Sequence, residues 1–290
     1  MGAAALLLPA DGLQACNEAA PAPARARPSV MLMTGLPLVW GEKGPFDPAS
    51  RPAAAYDQLR RQFDFRPVDV LEPEALARGR LLFLAQPHRL APAELAALDG
   101  WVRSGGRALI LTDPMLTWPS ELPLGDIRRP PPVGLLAPLL AHWRIALEAP
   151  DAPGEVEARW KGRRLLLDSP GRFRSGGPAC TVEPGAWKAT CLLGRGRAVL
   201  IADADLLRDS LWASGRAENA LAVADWLDEA AGVSRPRPAP TRDRRSLAAG
   251  MTIAALAALA GIGYLLRRRR KPLITDLSTG TTASNIDRTT

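Results

Sequence analysis

The chain has 290 residues, a mass of 31.0 kDa and 47% hydrophobic residues, so it can fold around a core and is not a disordered protein. Its three cysteines show no C-x-x-C spacing, which excludes a disulfide-rich scaffold and a structural zinc site of the usual kind. The formal net charge of +7 indicates, at first reading, a negatively charged partner, either nucleic acid or an anionic membrane surface.

Residues 1–27 are rich in alanine and proline and predict a leader that is either disordered or the remainder of a truncated signal. This start is a poor signal peptide, because it lacks a basic region and because Pro9 and Asp11 interrupt the apolar stretch. Two explanations stay open. Either an upstream export signal or anchor helix is missing from the sequence, or the following domain is cytosolic and is held at the membrane by a C-terminal anchor.

The next part of the chain, up to residue 113, alternates apolar runs with segments of helical spacing. The runs predict strands at 29–35, 67–71, 80–86 and 107–113. The helical segments are 53–63 and 92–104. The last two runs are apolar on both faces, which is typical of strands that helices cover. This alternation predicts a doubly wound, mostly parallel α/β sheet in a domain that covers residues 28–231.

Residues 114–231 predict a more irregular region with antiparallel strands. A proline-rich loop leads to an apolar helix at 133–144, and a hairpin over 157–168 turns at Lys161 and Gly162. Three successive strands lie within 180–205, and a last helix follows at 218–230. We therefore expect an antiparallel extension of the parallel sheet.

Two cysteines face each other in the predicted pairing of these strands. A turn at 184–187 places Cys180 opposite Cys191 and Glu183 opposite Lys188. A cross-strand disulfide is geometrically feasible if the domain is exported. Two buried thiols that only fill space are the alternative.

The positive charge lies on either side of one apolar segment near the C-terminus. Residues 235–245 contribute +4 and residues 267–271 contribute +5, so the rest of the chain carries −2. Between them, residues 247–266 contain no charged residue and span roughly 30 Å as a helix. We predict a transmembrane helix there, between a Pro/Arg-rich linker (232–246) and a basic, polar tail (267–290). The domain then lacks the positive charge that nucleic acid requires, so we expect the lipid bilayer and no nucleic acid as partner.

The orientation of this helix is not decided by the positive-inside rule, because five basic residues lie on each side. The second basic cluster adjoins the helix directly, whereas prolines and Asp243 interrupt the first. We therefore expect a single-pass protein of the inner membrane with a cytoplasmic tail and a periplasmic domain. A cytoplasmic, tail-anchored domain is the alternative.

Polar residues follow the predicted strands, where sheets of this class bind their ligands. Six of them are candidates for ligand binding: Gln86, His88, Asp113, Trp118, Asp203 and Asp205. The three aspartates offer the oxygen ligands that magnesium and calcium prefer. However, an aspartate after an apolar strand more commonly caps the next turn by accepting backbone N–H groups. We therefore assign no metal site.

Catalytic and cofactor motifs are missing from the sequence. It contains neither a nucleophile elbow, nor a phosphate-binding P-loop, nor a glycine-rich dinucleotide motif after a strand. We therefore predict no catalytic residue and no cofactor.

Three segments resemble a known family. They read "LFLAQPHRLAPAELAALDGWVRSGGRALILTDPMLTWPSE", "GRGRAVLIADADLLRDSLW" and "ENALAVADWL". Over residues 27–227 the chain resembles the soluble domain of uncharacterised ABC-type transport-system proteins related to the gliding-motility auxiliary component. The resemblance implies a class I glutamine amidotransferase-like fold and a position beside an ABC permease and ATPase. True amidotransferases carry a cysteine nucleophile on a tight turn after a strand, where this chain has Gln86, Pro87 and His88, so the resemblance implies no glutaminase activity.

Two functions are therefore expected as alternatives. The first is a membrane-anchored, non-enzymatic accessory or binding component of an ABC-type transport system. The second is a membrane-bound hydrolase that uses Asp113, Asp203 and Asp205, with or without a metal ion.

Overall fold

This computed structural model describes residues 26–212, 214 and 217–237, together with Gly2. Eleven short strands, six α-helices and one 3-10 helix (Asp205–Leu207) lie in these residues. The strands are β1 (Ser29–Thr34), β2 (Asp64–Pro67), β3 (Leu81–Ala85), β4 (Arg107–Leu111), β5 (Ile145–Glu148), β6 (Glu155–Trp160), β7 (Arg163–Asp168), β8 (Arg172–Ser175), β9 (Cys180–Val182), β10 (Lys188–Leu193) and β11 (Gly196–Ile201). The helices are α1 (Ala54–Leu59), α2 (Pro73–Leu76), α3 (Pro92–Arg103), α4 (Ala137–His142), α5 (Asp209–Trp212) and α6 (Asn219–Ala231).

Seven of the strands form one sheet in the order β2-β1-β3-β4-β11-β10-β9. The first five run parallel, and β10 and β9 extend them in antiparallel fashion. All five side chains of β3 are buried, as the apolar run predicted. The prediction of a mixed α/β fold with a mostly parallel sheet and an antiparallel extension is therefore confirmed.

The topological switch point of the sheet is at β1, which lies between β2 and β3. From β1 the chain passes to β2 on one side, and it then returns to β3 on the other. Helix α1 packs with α6, and α2 packs with α3. In sheets of this order, the crevice beyond the carboxyl ends of β1 and β3 is open to a ligand, because the connections leave the two strands in opposite directions.

The antiparallel strands follow the predicted turns. Lys161 and Gly162 both have positive φ (47° and 81°), which is the geometry of the tight turn that joins β6 to β7. Cys180 lies opposite Cys191 in the pairing of β9 with β10, and a disulfide joins them. The Lys188 ammonium is fully buried and pairs with Glu183, the residue predicted to face it.

The predicted strand at 67–71 was wrong in position. The strand is β2, at 64–67, on the edge of the sheet. Leu71 is fully buried, but its N–H donates to Glu94 Oε1 (3.0 Å) at the start of α3 instead of to a neighbouring strand. The apolar residue Leu71 is buried although it lies in a loop. The pattern of apolar residues in the sequence does not distinguish such a loop from a strand.

The predicted helix at 133–144 was wrong in length. Helix α4 begins only at Ala137. Gly134 instead lies in the preceding loop and packs on the end of β4, where a Cβ atom would lie 2.2 Å from Thr112 Oγ1. Arg144, with φ at 58°, then turns the chain into β5, which pairs with β8 in a separate two-stranded sheet. The sequence did not predict this second sheet.

The beginning of the predicted linker is folded onto α6. Arg237 pairs with Asp225 (Nε–Oδ1 2.5 Å) and with Asp228, and Arg235 also pairs with Asp228 (2.6 Å). The predicted transmembrane helix at 247–266, the tail and nearly all of the predicted leader lie outside the described residues. Among the helices that are described, none has the length and apolar character needed to span a bilayer.

Candidate functional site

The carboxyl ends of the parallel strands bring most of the predicted site residues to one edge of the sheet. Gln86 directly follows β3, and Asp113 and Asp203 follow β4 and β11 by two residues each. These side chains fall into two neighbouring groups. The first is an aspartate cluster beyond β4 and β11, and the second is a crevice beyond β2, β1 and β3.

Gln86 is fully buried and joins the turn after β3 to the loops after β4. Its Nε2 donates to the carbonyl oxygens of Asp113 (3.2 Å) and Pro131 (3.0 Å), and its Oε1 accepts the N–H of Asp113 (2.8 Å). Its backbone has a positive φ of 43°. Gly35 packs on this turn so closely that a Cβ atom would lie 2.5 Å from the Gln86 carbonyl oxygen. Both amide donors are in use, so Gln86 holds the backbone in place and does not face a ligand.

Asp113 and Asp203 are fully buried carboxyl groups that accept backbone N–H donors. Asp113 accepts from Met115 (2.8 Å) and Ala204 (2.9 Å). Asp203 accepts from Leu206 (2.8 Å) and from Asp168 (2.7 Å). All four carboxyl oxygens therefore organise the loops after β4 and β11 and the end of β7.

Burial makes these two carboxyl groups weak acids. It raises the pKa of Asp113 to about 7, with a further contribution from the negative charge of Asp205, although the backbone donors act in the opposite direction. Burial also raises the pKa of Asp203 well above its usual range, and repulsion from Asp113 adds to this effect. The cluster therefore holds protons at pH values where exposed aspartates have lost them.

Asp205 lies in a polar network with two residues that the sequence did not single out as site residues, Asp168 and Arg208. Asp205 Oδ2 accepts from the N–H and hydroxyl of Thr117 (2.6 and 2.9 Å). Arg208 donates to Asp168 Oδ2 (2.8 Å) and to the Thr117 hydroxyl (2.9 Å). Its guanidinium also lies 3.7 Å from Asp205 Oδ1. The positive charge of Arg208 thus compensates the negative charge of Asp168 and lies close to that of Asp205.

The sequence assigns no metal site. Within residues 26–237, as far as they are described, no three His, Cys, Asp or Glu side chains are arranged so that they could hold a metal ion. The hydrogen bonds of Asp113 and Asp203 match the capping role that aspartates after strands commonly have.

The remaining two predicted residues lie apart from the aspartates. Trp118 is half-buried against the hydrophobic core. His88 is on the surface of the crevice, and partial burial lowers the pKa of its imidazole. Of the six predicted residues, only His88 therefore faces this crevice.

The crevice, which we call the switch-point crevice, has a volume of about 290 Å³. Its wall contains the ends of β1 and β2 and the side chains of Trp40, Glu42, Asp69, His88 and Arg128. The long loops after β1 and β4 meet beside it, where the N–H of Glu121 donates to Glu42 Oε2 (2.9 Å). Four of these five side chains were missed in the sequence, because they lie on loops without periodicity. The strand order is the signal that locates the crevice.

Several solved structures are similar to the chain at low identity. The mmIFT52 N-terminal domain is 13% identical, with a TM-score of 0.46, over 72% of this chain and 100% of that domain. The cytoplasmic protein STM1381 from Salmonella typhimurium LT2 is 13% identical, with a TM-score of 0.43, over 70% of this chain and 99% of that protein. A catalytic mutant of Gan42B, a GH42 β-galactosidase from G. stearothermophilus, is 14% identical, with a TM-score of 0.40, over 73% of this chain and 31% of the enzyme.

Sequence comparisons give one match. No curated protein matches the chain. Residues 27–150, which contain β1–β4 and all the side chains of the switch-point crevice, match the model of a family described as an ABC-type uncharacterized transport system.

Proposed function

We propose that the protein is a membrane-anchored, non-enzymatic accessory or binding component of an ABC-type transport system. The observation that carries this proposal is the match of residues 27–150 to the transport-system family. The uncharged segment 247–266 has the length of a membrane anchor, and its basic flanks suit an anionic membrane surface. The partners are then an ABC permease and its ATPase.

The proposal includes the fold of the domain: it is doubly wound and amidotransferase-like, but it lacks the catalytic chemistry of amidotransferases. The turn after β3 is where those enzymes carry their cysteine, and here it holds Gln86 with a positive φ. A neutral amide whose donors are used by backbone carbonyls is not a nucleophile. This geometry supports a binding role for the domain.

Two observations support a periplasmic position for the domain. The Cys180–Cys191 disulfide suits an oxidising compartment. In addition, Arg235 and Arg237 are engaged in ion pairs on α6, so at most three arginines of the cluster before residue 247 count in the positive-inside comparison. Five basic residues follow residue 266, so the balance favours a cytoplasmic tail.

The loops after β1 and β4 supply a docking surface for the transporter. Phe46, Leu124 and Ile127 are 97%, 88% and 87% exposed, which is unusual for large apolar side chains. Exposed apolar groups of this kind are typical of surfaces that bind another protein. The surface is next to the switch-point crevice, because Arg128 and Pro45 line the crevice beside Ile127 and Phe46.

Affinity purification in mild detergent tests this proposal. We expect the full-length protein to recover an ABC permease and ATPase, and a Phe46→Ser, Ile127→Ser variant to lose them. Leu192→Ser is the matched control, because Leu192 is also an exposed apolar residue (58%) but lies on β10. Recovery of the full-length protein without any membrane partner would contradict the proposal.

The hydrolase alternative has weaker support. Asp113 has a pKa that would suit a proton-transferring group, but both of its carboxyl oxygens accept backbone N–H groups and it is fully buried. Calorimetric titration with magnesium, calcium and manganese distinguishes the two functions. Binding of any of these ions that is lost in Asp205→Asn would favour the hydrolase.

A further inference from the structure

The switch-point crevice carries an excess of negative charge. Two carboxylates, Glu42 and Asp69, share its wall with one guanidinium, that of Arg128. Arg128 is already paired with a third carboxylate, because its Nη2 and Nε donate to Asp126 (2.6 and 3.0 Å). The charged residues that line the crevice therefore sum to about −1 at neutral pH, and the charge of Arg128 is shared with Asp126.

Neither wall carboxylate has its full set of donors. Glu42 Oε2 accepts from Glu121, but Oε1 is buried and has no hydrogen-bond partner in the part of the chain that is described. Asp69 is exposed, and no described residue forms an ion pair with it. A carboxylate oxygen that is removed from water without a donor is costly, and its field in the crevice is less screened than that of a surface charge. The charges of Glu42 and Asp69 therefore both favour a positively charged ligand, and the exposed Asp69 carboxylate can accept N–H or C–H donors from it.

The crevice also has a tryptophan side chain in its wall. Trp40 lines it and is 56% exposed, although large aromatic side chains are usually more buried. Tryptophan binds cations better than other aromatic residues do, through the negative face of its ring. His88 opposes this attraction little, because partial burial lowers the pKa of its imidazole and so favours the uncharged form.

From this combination we propose that the switch-point crevice binds a small organic cation with an alkylammonium or guanidinium group. Asp69 contacts the cationic group, Glu42 contributes its charge from the wall, and Trp40 covers the ligand. The volume of about 290 Å³ suits a small molecule better than a peptide. The carboxyl ends of strands beside a switch point are also where doubly wound sheets bind ligands in general. This proposal does not depend on the transport role.

Isothermal titration of the full-length protein in mild detergent tests the proposal. The probes are choline, methylguanidinium and 3,3-dimethylbutan-1-ol, which has the shape of choline without its charge. We expect at least one of the two cations to bind, and the uncharged alcohol to bind at least about tenfold more weakly. The proposal is overturned if neither cation binds at concentrations up to about 20 mM or if the alcohol binds as well as choline.

Isosteric variants place the binding in the crevice. Glu42→Gln and Asp69→Asn each remove one charge and are expected to weaken binding by about fivefold or more, and Trp40→Leu by about threefold or more. Glu74→Gln is the control, because Glu74 is an exposed carboxylate on α2, and its affinity should stay within about twofold of the parent. Asp69 is exposed, so Asp69→Asn folds even if Glu42→Gln does not. Unchanged affinity in Asp69→Asn and Trp40→Leu together would also overturn the proposal.

Discussion

The carboxylate of Asp203, just after β11, accepts the backbone N–H of Asp168 at the end of β7, at 2.7 Å. Two further side chains also accept backbone N–H groups along the outer edge of β7. Asn219 Oδ1 accepts the N–H of Leu166 (3.0 Å), and Glu218 Oε2 accepts the N–H of Arg164 (3.3 Å). Every second N–H of the strand is thus bonded to a side chain, as it would be to a neighbouring strand. The edge of β7 is closed against other chains without a further strand.

Replacement of Asn219 by alanine is therefore expected to destabilise the domain. The Asn219 side chain is buried and also donates from Nδ2 to the carbonyl oxygens of Leu166 (2.9 Å) and Leu206 (3.2 Å). Loss of these bonds leaves buried backbone groups without partners, at a cost of about 2–3 kcal/mol in the free energy of unfolding. The melting temperature of the full chain in mild detergent, followed by tryptophan fluorescence, should fall by about 4–10 °C.

A control for this prediction is Glu74→Ala, because Glu74 is an exposed residue on α2 and its loss should change the melting temperature little. Asn219→Asp is more informative, because it keeps the acceptor for Leu166 but loses both donors. We expect its melting temperature to be lowered as well. A melting temperature for Asn219→Ala equal to that of the parent would show that β7 does not need this substitute for a neighbouring strand.

The Cys180–Cys191 disulfide is expected to stabilise the antiparallel end of the sheet. It closes a short loop, for which the loss of the cross-link lowers the free energy of unfolding by about 2–3 kcal/mol. Mass spectrometry of peptides prepared without reduction should show the Cys180–Cys191 pair in protein recovered from the native membrane. A reducing agent should lower the melting temperature of the parent but not that of the Cys180→Ala, Cys191→Ala variant. Free thiols at both positions would argue against the disulfide and against an exported domain.

The buried aspartates are expected to make the domain more stable at mildly acid pH. In the folded state the pKa of Asp113 is raised to about 7, and the pKa of Asp203 is also raised well above its usual range. An aspartate in the unfolded chain loses its proton near pH 4, so the folded state binds more protons between about pH 4 and pH 7. Stability therefore falls as the pH rises through this window.

The measurement is the difference in melting temperature between about pH 5 and about pH 8. The parent should be more stable at the lower pH, and Asp113→Asn should show a smaller difference because it lacks one of the titrating groups. Its absolute stability is expected to be lower at both pH values, since one of its two backbone donors then faces an amide N–H₂ group. An unchanged pH difference in Asp113→Asn would contradict the raised pKa. His88, whose pKa is lowered, acts in the opposite direction and is removed in a His88→Gln background.

The sequence predicts those parts of the fold that depend on local sequence patterns. The strands β3 and β4 are continuous apolar runs, and the turn at Lys161 and Gly162 fixes the pairing of β6 with β7. The register of β9 with β10 follows from a similar turn, so the pairing of Cys180 with Cys191 could be predicted. In each case the residues that interact are close in sequence or repeat with the period of a strand.

The candidate sites depend instead on residues that are far apart in sequence. Thr117 and Asp205 are 88 positions apart, and Glu42 and Glu121 are 79 apart. Such contacts come from loops whose paths depend on packing, as where Gly134 lies against Thr112. Aspartates after strands could be selected in the sequence, but their partners could not. The crevice therefore emerges only from the strand order and the meeting of two loops.

Arg237→Ala is expected to destabilise the domain and to do so more strongly at high pH. The Arg237 side chain is almost fully buried, pairs with Asp225 and Asp228, and donates to Gln62 Oε1 (2.9 Å) and to the Ala224 carbonyl (2.8 Å). Its removal leaves the Asp228 carboxylate buried with Arg235 as its remaining described cation, at a cost of about 3 kcal/mol in the free energy of unfolding.

The pH dependence of this variant separates the loss of an ion pair from a simple loss of packing. Burial already raises the pKa of Asp228, and the charges of Arg237 and Arg235 oppose that rise. Without Arg237 the pKa rises further, so the folded variant favours the protonated carboxyl group and loses additional stability as the pH increases. We expect the melting temperature to fall by a larger amount at about pH 8 than at about pH 5.

Arg66→Ala is the control, because Arg66 is an exposed arginine paired with Asp64 on the edge strand β2, and its loss should change the melting temperature little at either pH. Equal losses at both pH values in Arg237→Ala would show that Arg237 contributes packing alone.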